Sequence, residues 1–220
     1  MDMKVSTSSV VAVIGDLVGS RRATSRREVQ DALLVALATA AEAVPALQDP
    51  EPTIGDEFQA VYATVADALR ATLLIRLALP LPWDCRAGLG RGRLEIVGTS
   101  DYGLTQDGPA WWSAREAVVE VKRREDGRHP GLRTWLVESG DEEVGMVNAY
   151  LLARDELVSR CDERQRRLVL GLLQGETQKD LAAREGISAS AVSQSLRRAG
   201  AWSVLDGLEQ ISAATTAGAS

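Results

Sequence analysis

Two glycine-aspartate steps, each closing a short apolar run, most constrain what this chain can fold into. They are Gly15-Asp16, within Val13-Ile14-Gly15-Asp16-Leu17-Val18-Gly19-Ser20, and Gly55-Asp56, within Thr53-Ile54-Gly55-Asp56-Glu57-Phe58-Gln59. Glycine and aspartate punctuate strands because one tolerates tight turns and the other bonds its own backbone. Either step alone reads as an ordinary turn. Two strand ends side by side would instead bring two carboxylates together, and a carboxylate pair at a sheet rim is a common way to hold Mg²⁺ or Mn²⁺ against a phosphate. The pattern therefore predicts Asp16 and Asp56 as metal ligands, with Glu57 as a general base or a solvated acid of the hairpin tip.

Periodicity fixes the surrounding elements. Val10 to Leu17 has the length and β-branched content of a buried strand. From Thr24 to about Val44, Val29, Leu33, Leu37 and Ala40 recur at helical spacing. Phe58 to Ala63 resumes as a strand, giving a hairpin, and Val65 to Leu79 reads as a second helix. Arg86 to Val97 reads as a strand whose Gly88, Gly90 and Gly92 admit a closely approaching backbone or ligand. A third helix opens at Gly108-Pro109 and runs to about Arg124, and Thr134 to Glu138 reads as a last strand. Trp111 and Trp112 are adjacent on that helix, so at least one is expected in the core. Arg115 either faces a phosphate or pairs with Glu116 or Glu120. Arg21 and Arg22 either clamp an anion or start the first helix.

The C-terminal part has a different composition. Over residues 158–202 there are eight basic against five acidic side chains, in a chain whose net charge is −6. Gly140-Asp141-Glu142-Glu143 marks a boundary ahead of a connecting helix, Val144 to Ser159. Glu163 to Leu173 is helical, and Thr177 to Arg198 has the spacing of a helix-turn-helix. Ala182 stands at the crossing, Gly186 and Ile187 at the turn, Ser188 at the second cap and Val192 on the packing face. The second helix would present Ser190, Ser193, Gln194 and Arg197 to base edges, while Thr177, Gln178 and Lys179 meet phosphates. The same unit can instead serve protein contact. DNA reading by so short a unit calls for a homodimer.

Composition excludes other classes. Cys85 and Cys161 are the only cysteines and His129 the only histidine, which argues against disulfide frameworks, CxxC metal sites and histidine-based triads. No signal peptide or membrane span is read, so a cytoplasmic location is expected.

The first three quarters of the chain resemble the SatD family and, more distantly, class III nucleotidyl cyclases and diguanylate cyclases. The resemblance rests on Gly15-Asp16-Leu17-Val18-Gly19-Ser20, Gly55-Asp56-Glu57-Phe58, and Arg86-Ala87-Gly88-Leu89-Gly90-Arg91-Gly92. It implies an α+β, ferredoxin-like palm over 1–139; beyond it, spacing and composition read as a connecting helix over 140–160, an all-α helix-turn-helix over 161–211 and a disordered tail over 212–220. It also implies a nucleotide ligand held through Gly19, Ser20, Arg21, Gly55 and Arg115. Three positions depart from the cyclases: Trp111 stands where they carry Asn, Pro52 where they carry the purine-selecting Lys, and Ile54 where the diguanylate motif has its first Gly. The resulting expectation is a DNA-binding regulator whose palm binds a nucleotide and a divalent metal. The alternative is a nucleotidyl cyclase or related phosphotransfer enzyme that the helix-turn-helix targets or dimerises, and a third possibility is a palm that serves only as a dimerisation scaffold.

Overall fold

The computed structural model describes residues 9–19, 25–53, 55–100, 103–138 and 143–217. Its centre is β1 (Val10–Val18), flanked by antiparallel strands on both sides. β2 (Gln48–Pro52) and β3 (Glu57–Tyr62) form the expected hairpin on one side, and β4 (Asp84–Gly92) lies on the other. β7 (Thr134–Val137) pairs parallel to β4 and completes the order β2-β3-β1-β4-β7.

Alternation along β1 sorts the sheet into two faces. Val11, Val13 and Leu17 enter the main core with Leu33 and Leu37 of α1 (Arg26–Ala43) and Leu69 and Leu73 of α2 (Val65–Ala78). Val10, Ala12 and Ile14 face the other way, against Ala110, Ala114 and Val118 of α3 (Pro109–Glu125). That second face explains the glycines of β4. A Cβ on Gly90 would lie 2.1 Å from the Ala110 carbonyl oxygen and the Ala114 nitrogen, so the α3 backbone rests directly on the strand.

The strand expected over Arg86 to Val97 is two strands. β4 stops at Gly92, opposite Val10, where β1 begins and the ladder loses its partner. The chain then leaves the sheet as a separate hairpin of β5 (Glu95–Ser100) and β6 (Gly103–Asp107) before entering α3.

The C-terminal helices are α4 (Glu143–Ser159), α5 (Glu163–Leu173), α6 (Gln178–Glu185), α7 (Ala189–Arg198) and α8 (Ala201–Ala217). α4 was expected to connect two domains, but it is built into the sheet edge. The side-chain amide of Asn148 accepts from the Leu136 N–H and donates to the Leu136 carbonyl, both at 2.9 Å, so it pairs β7 as a further strand would. The Asp155 carboxylate accepts the N–H groups of Arg133 and Thr134 at 2.7 Å. One continuous core then runs from Leu69 and Leu73 through Leu168, Val169 and Leu173 to Leu208, across the boundaries expected near 140 and 160. α8 likewise reaches Ala217, inside the stretch expected to be a disordered tail.

Candidate functional site

The β1 register places Asp16 opposite Glu57 on one side and Arg86 on the other. Directly opposed residues share a face, so Glu57 is the acid the sheet sets beside Asp16. Asp56 lies one step earlier, half-buried in the hairpin turn, where its carbonyl oxygen accepts the Leu17 N–H at 3.2 Å. Gly55 supplies the turn with φ 79°, and Gly19 ends β1 with φ 75°. Ser20, Arg21, Arg22 and Ile54 lie outside the described residues.

Both carboxylate oxygens of Asp16 are engaged. Arg86 Nε is 2.9 Å from Oδ1, and Lys122 Nζ, reaching from α3, is 2.7 Å from Oδ2. Arg86 continues to Glu125 at 3.0 Å, and Glu125 to Arg133 at 3.1 Å. Arg133 joins Asp84 at 2.9 Å, and Asp84 also binds Arg76 at 2.9 Å, with Arg166 at 3.8 Å. Arg76 reaches Asp155 at 3.2 Å, and Asp155 binds Arg154 at 2.8 Å. A line of alternating charge thus runs from the hairpin side of the sheet to α4 and α5. Burial alone would raise the Asp84 carboxyl, but the guanidinium of Arg76, backed by Arg133 and Arg166, outweighs it and holds the group below the ordinary carboxylate range.

At Asp16 the divalent metal implied by the resemblance would meet, among the described residues, a carboxylate whose two oxygens are both already paired. Among the described residues no group of three or more His, Cys, Asp or Glu side chains could hold an ion. The leading candidate, Asp16, already faces two protein cations. Burial pushes the Cys85 and Cys161 thiols up, away from the thiolate form that binds metal.

A cleft of about 230 Å³ opens on the same face, between α3 and the β2–β3 edge. Ile14 of β1, Gln59 of β3 and Gln48 of β2 line it together with Gln106, Asp107, Trp111, Trp112 and Arg115. Asp107 fixes the α3 end of this wall by accepting from the Gly108 N–H at 2.7 Å and the Trp112 indole N–H at 2.8 Å. Trp111 is half-buried against the Val10, Ala12 and Ile14 cluster, while Trp112 is 63% exposed. The indole N–H of Trp111 and the side-chain oxygen of Gln106 are both buried and, among the described residues, have no hydrogen-bond partner.

Arg115 is exposed at this cleft. Glu120, one of its two possible partners, is instead bound by Arg123 and Arg124 at 2.6 Å each. Its carboxyl is pulled down to about 2, chiefly by the hydrogen bonds from Arg123.

Sequence reasoning named Asp16, Glu57 and Arg115 but missed Arg86 and Lys122 as Asp16's partners, and missed the three glutamines. Gln59 had a signal, because it lies two residues beyond Glu57 and so shares its face. Lys122 had one only in hindsight, seven residues along α3 from Arg115 and near the same stripe.

At the other end of the molecule, α6 and α7 meet at Gly186, which is left-handed with φ 65° and ψ 33°. The Ile187 N–H returns to the Ala182 carbonyl at 3.1 Å, and Ser188 caps α7 by accepting the Ala191 N–H. Val192 and Leu196 are buried, which leaves Ser190, Gln194 and Arg197 exposed and Ser193 half-exposed. Lys179 is exposed and Gln178 half-exposed. The Thr177 hydroxyl is committed within α6, donating to the Asp180 carboxylate at 2.7 Å and accepting its N–H.

A family model described as the SatD family matches residues 10–207. No curated protein matches the chain. Among solved structures, a bacterial light-regulated adenylyl cyclase matches 66% of this chain and 46% of its own at 14% identity and a TM-score of 0.47, so less than half of that protein is spanned. A guanylyl cyclase matches 52% of this chain and 71% of its own at 15% identity and a TM-score of 0.40. A double mutant of the guanylyl cyclase domain of the RhoGC fusion protein from the aquatic fungus Blastocladiella emersonii matches 49% of this chain and 72% of its own at 16% identity and a TM-score of 0.35. No helix among the described residues is long and apolar enough to cross a membrane.

Proposed function

The chain belongs to the SatD family, and from the cleft beside α3 we propose that it binds a nucleotide there. The observation that carries this reading is the unpartnered pair on the cleft wall, the Trp111 N–H and the Gln106 oxygen. A buried donor and acceptor left unpaired cost roughly 1–3 kcal/mol each. A base that presents an acceptor and a donor would satisfy both once the two side chains turn toward it. Gln48 and Gln59 add further donors and acceptors. Arg115 at the open rim supplies the planar fork that suits phosphate.

The test is a thermal-shift panel of nucleoside mono-, di- and triphosphates against the wild-type chain and Arg115→Ala, since a ligand of the folded state raises Tm by mass action. At least one nucleotide should raise Tm in the wild type and much less in the variant. No shift with any nucleotide would sink the reading.

Two outputs follow from such a site, and each has an observation in its favour. Asp16 and Glu57 face each other across the β1–β3 ladder, which favours a nucleotidyl cyclase or related phosphotransfer enzyme with Glu57 as base toward a ribose hydroxyl. Turnover of a nucleoside triphosphate, abolished by Glu57→Gln with the fold intact, would establish it. The exposed Ser190, Gln194 and Arg197 along α7 favour a DNA-binding transcriptional regulator in which two copies read two half-sites. There, Arg197→Ala should abolish a gel shift on the protein's own promoter region, and a nucleotide should change it. A chain that neither turns over nucleotide nor shifts DNA would rule out both outputs.

A further inference from the structure

We propose that Lys122 and Arg86 stand in place of a divalent ion at Asp16, so that ligand binding in the α3 cleft is metal-independent. The inference rests on the nucleotide reading above and goes further by naming what neutralises the phosphates.

The charge balance around Asp16 carries the argument. Asp16 and Glu57 oppose each other across the ladder, and Arg86 opposes Asp16 from the other strand. With Lys122, these four groups carry two negative and two positive charges. Mg²⁺ binds where one or two carboxylates stand free to replace its water. Here both oxygens of the central carboxylate face N–H donors at 2.9 and 2.7 Å, so an arriving dication meets no open oxygen on Asp16. Arg86 cannot swing aside cheaply, because Glu125 holds its other end at 3.0 Å and the side chain is 18% exposed.

Lys122 differs. Its side chain is 45% exposed, so it keeps spare N–H donors for a ligand while Asp16 fixes its position. It lies seven residues beyond Arg115 on α3, about 10 Å along the helix axis at 1.5 Å per residue. α3 thus carries two cations for a phosphate chain, Arg115 at the cleft and Lys122 two turns further along the same rigid element, the screening a metal ion would otherwise supply.

The experiment titrates a fluorescent nucleoside triphosphate into wild-type, Lys122→Met and Asp16→Asn protein, each in EDTA and in excess Mg²⁺ or Mn²⁺. Wild-type affinity should agree within about twofold with and without metal, and Lys122→Met should weaken it about tenfold in both, the scale of one charge-assisted hydrogen bond. Affinity at least tenfold tighter with metal, with that gain lost in Asp16→Asn, would overturn the inference. If the nucleotide binds under no condition, the nucleotide reading itself fails. Electron paramagnetic resonance of Mn²⁺ with the protein alone then decides this point separately. An undiminished free-ion signal upholds the replacement of a divalent ion by Lys122 and Arg86 at Asp16, whereas Mn²⁺ bound by the wild type and released by Asp16→Asn overturns it.

Discussion

Asp16 and Asp84 sit on neighbouring strands of the same ladder, facing Arg86 and Val18 respectively, yet they are held in opposite ways. Asp84 is gripped by three guanidiniums, Arg76 from α2, Arg133 ahead of β7 and Arg166 from α5. Arg76 is 1% exposed and also binds Asp155, itself fully buried. Asp16 has one guanidinium, shared with Glu125, and one lysine standing half in water. The same carboxylate serves as a lock where cations converge from three elements and as a socket where one cation remains free to meet a ligand. Continuity through Glu125 and Arg133 makes the two centres one network, and the two carboxylates are equally exposed at 13%, so the difference lies in the number of cations and in how deeply those cations are buried, not in connection.

The largest effect should come from breaking the lock. Asp84→Asn leaves Arg76, Arg133 and Arg166 without their shared anion, and removing one partner of a buried ion pair costs roughly 3–5 kcal/mol. Urea unfolding should show that loss, and a loss below about 1 kcal/mol would erase the distinction between the centres. Acid should act through the same group. The folded state holds the Asp84 carboxyl below its unfolded value, so its stabilisation is complete above the ordinary aspartate range and is lost as pH falls through the folded value. Wild-type stability should therefore drop on acidification more steeply than that of Asp84→Asn, as stability curves between neutral and acid pH would reveal.

An intermediate effect is expected where α3 rests on β4. Gly90→Ala pushes a methyl group into the Ala110 carbonyl and the Ala114 nitrogen, and overpacking of this kind costs roughly 1–3 kcal/mol. Because α3 carries Arg115 and Lys122, the variant should also bind nucleotide more weakly. Unchanged affinity alongside lowered Tm would mean that the cleft does not depend on the seating of α3.

The parts of this comparison differ in how far they could be read from the chain. Gly15-Asp16 and Gly55-Asp56 announced the strand end and the hairpin, because glycine and aspartate in turns act locally. Gly88 and Gly90 announced a close approach, though not that α3 would make it. Apolar periodicity located α1, α2 and α5 within a few residues. The ion network was not legible. Arg76, Arg154 and Asp155 lie in helical stretches where charged residues read as a solvent face, and only the packing of α4 and α5 against α2 buries them. Asn148 and Asp155 likewise carry no local sign that they complete the edge of β7. Composition changes near residue 140, while the apolar core continues across it from Leu69 and Leu73 to Leu168 and Leu208.

The smallest effect on stability should come from Asp16→Asn, and it sharpens the comparison most. Arg86 keeps Glu125, Lys122 is already 45% exposed, and the amide can still accept a hydrogen bond from either. The Lys122 pair, on a cation 45% exposed, contributes about 1 kcal/mol or less, and the part-buried Arg86 stays paired to Glu125. Tm should therefore hardly move, in contrast to Asp84→Asn. The fluorescent nucleotide should still bind in EDTA, since Arg115 and Lys122 remain on α3, although Lys122 loses the contact that fixes it. A collapse in stability on the scale of Asp84→Asn would make Asp16 a second lock, its charge serving the fold and not the cleft.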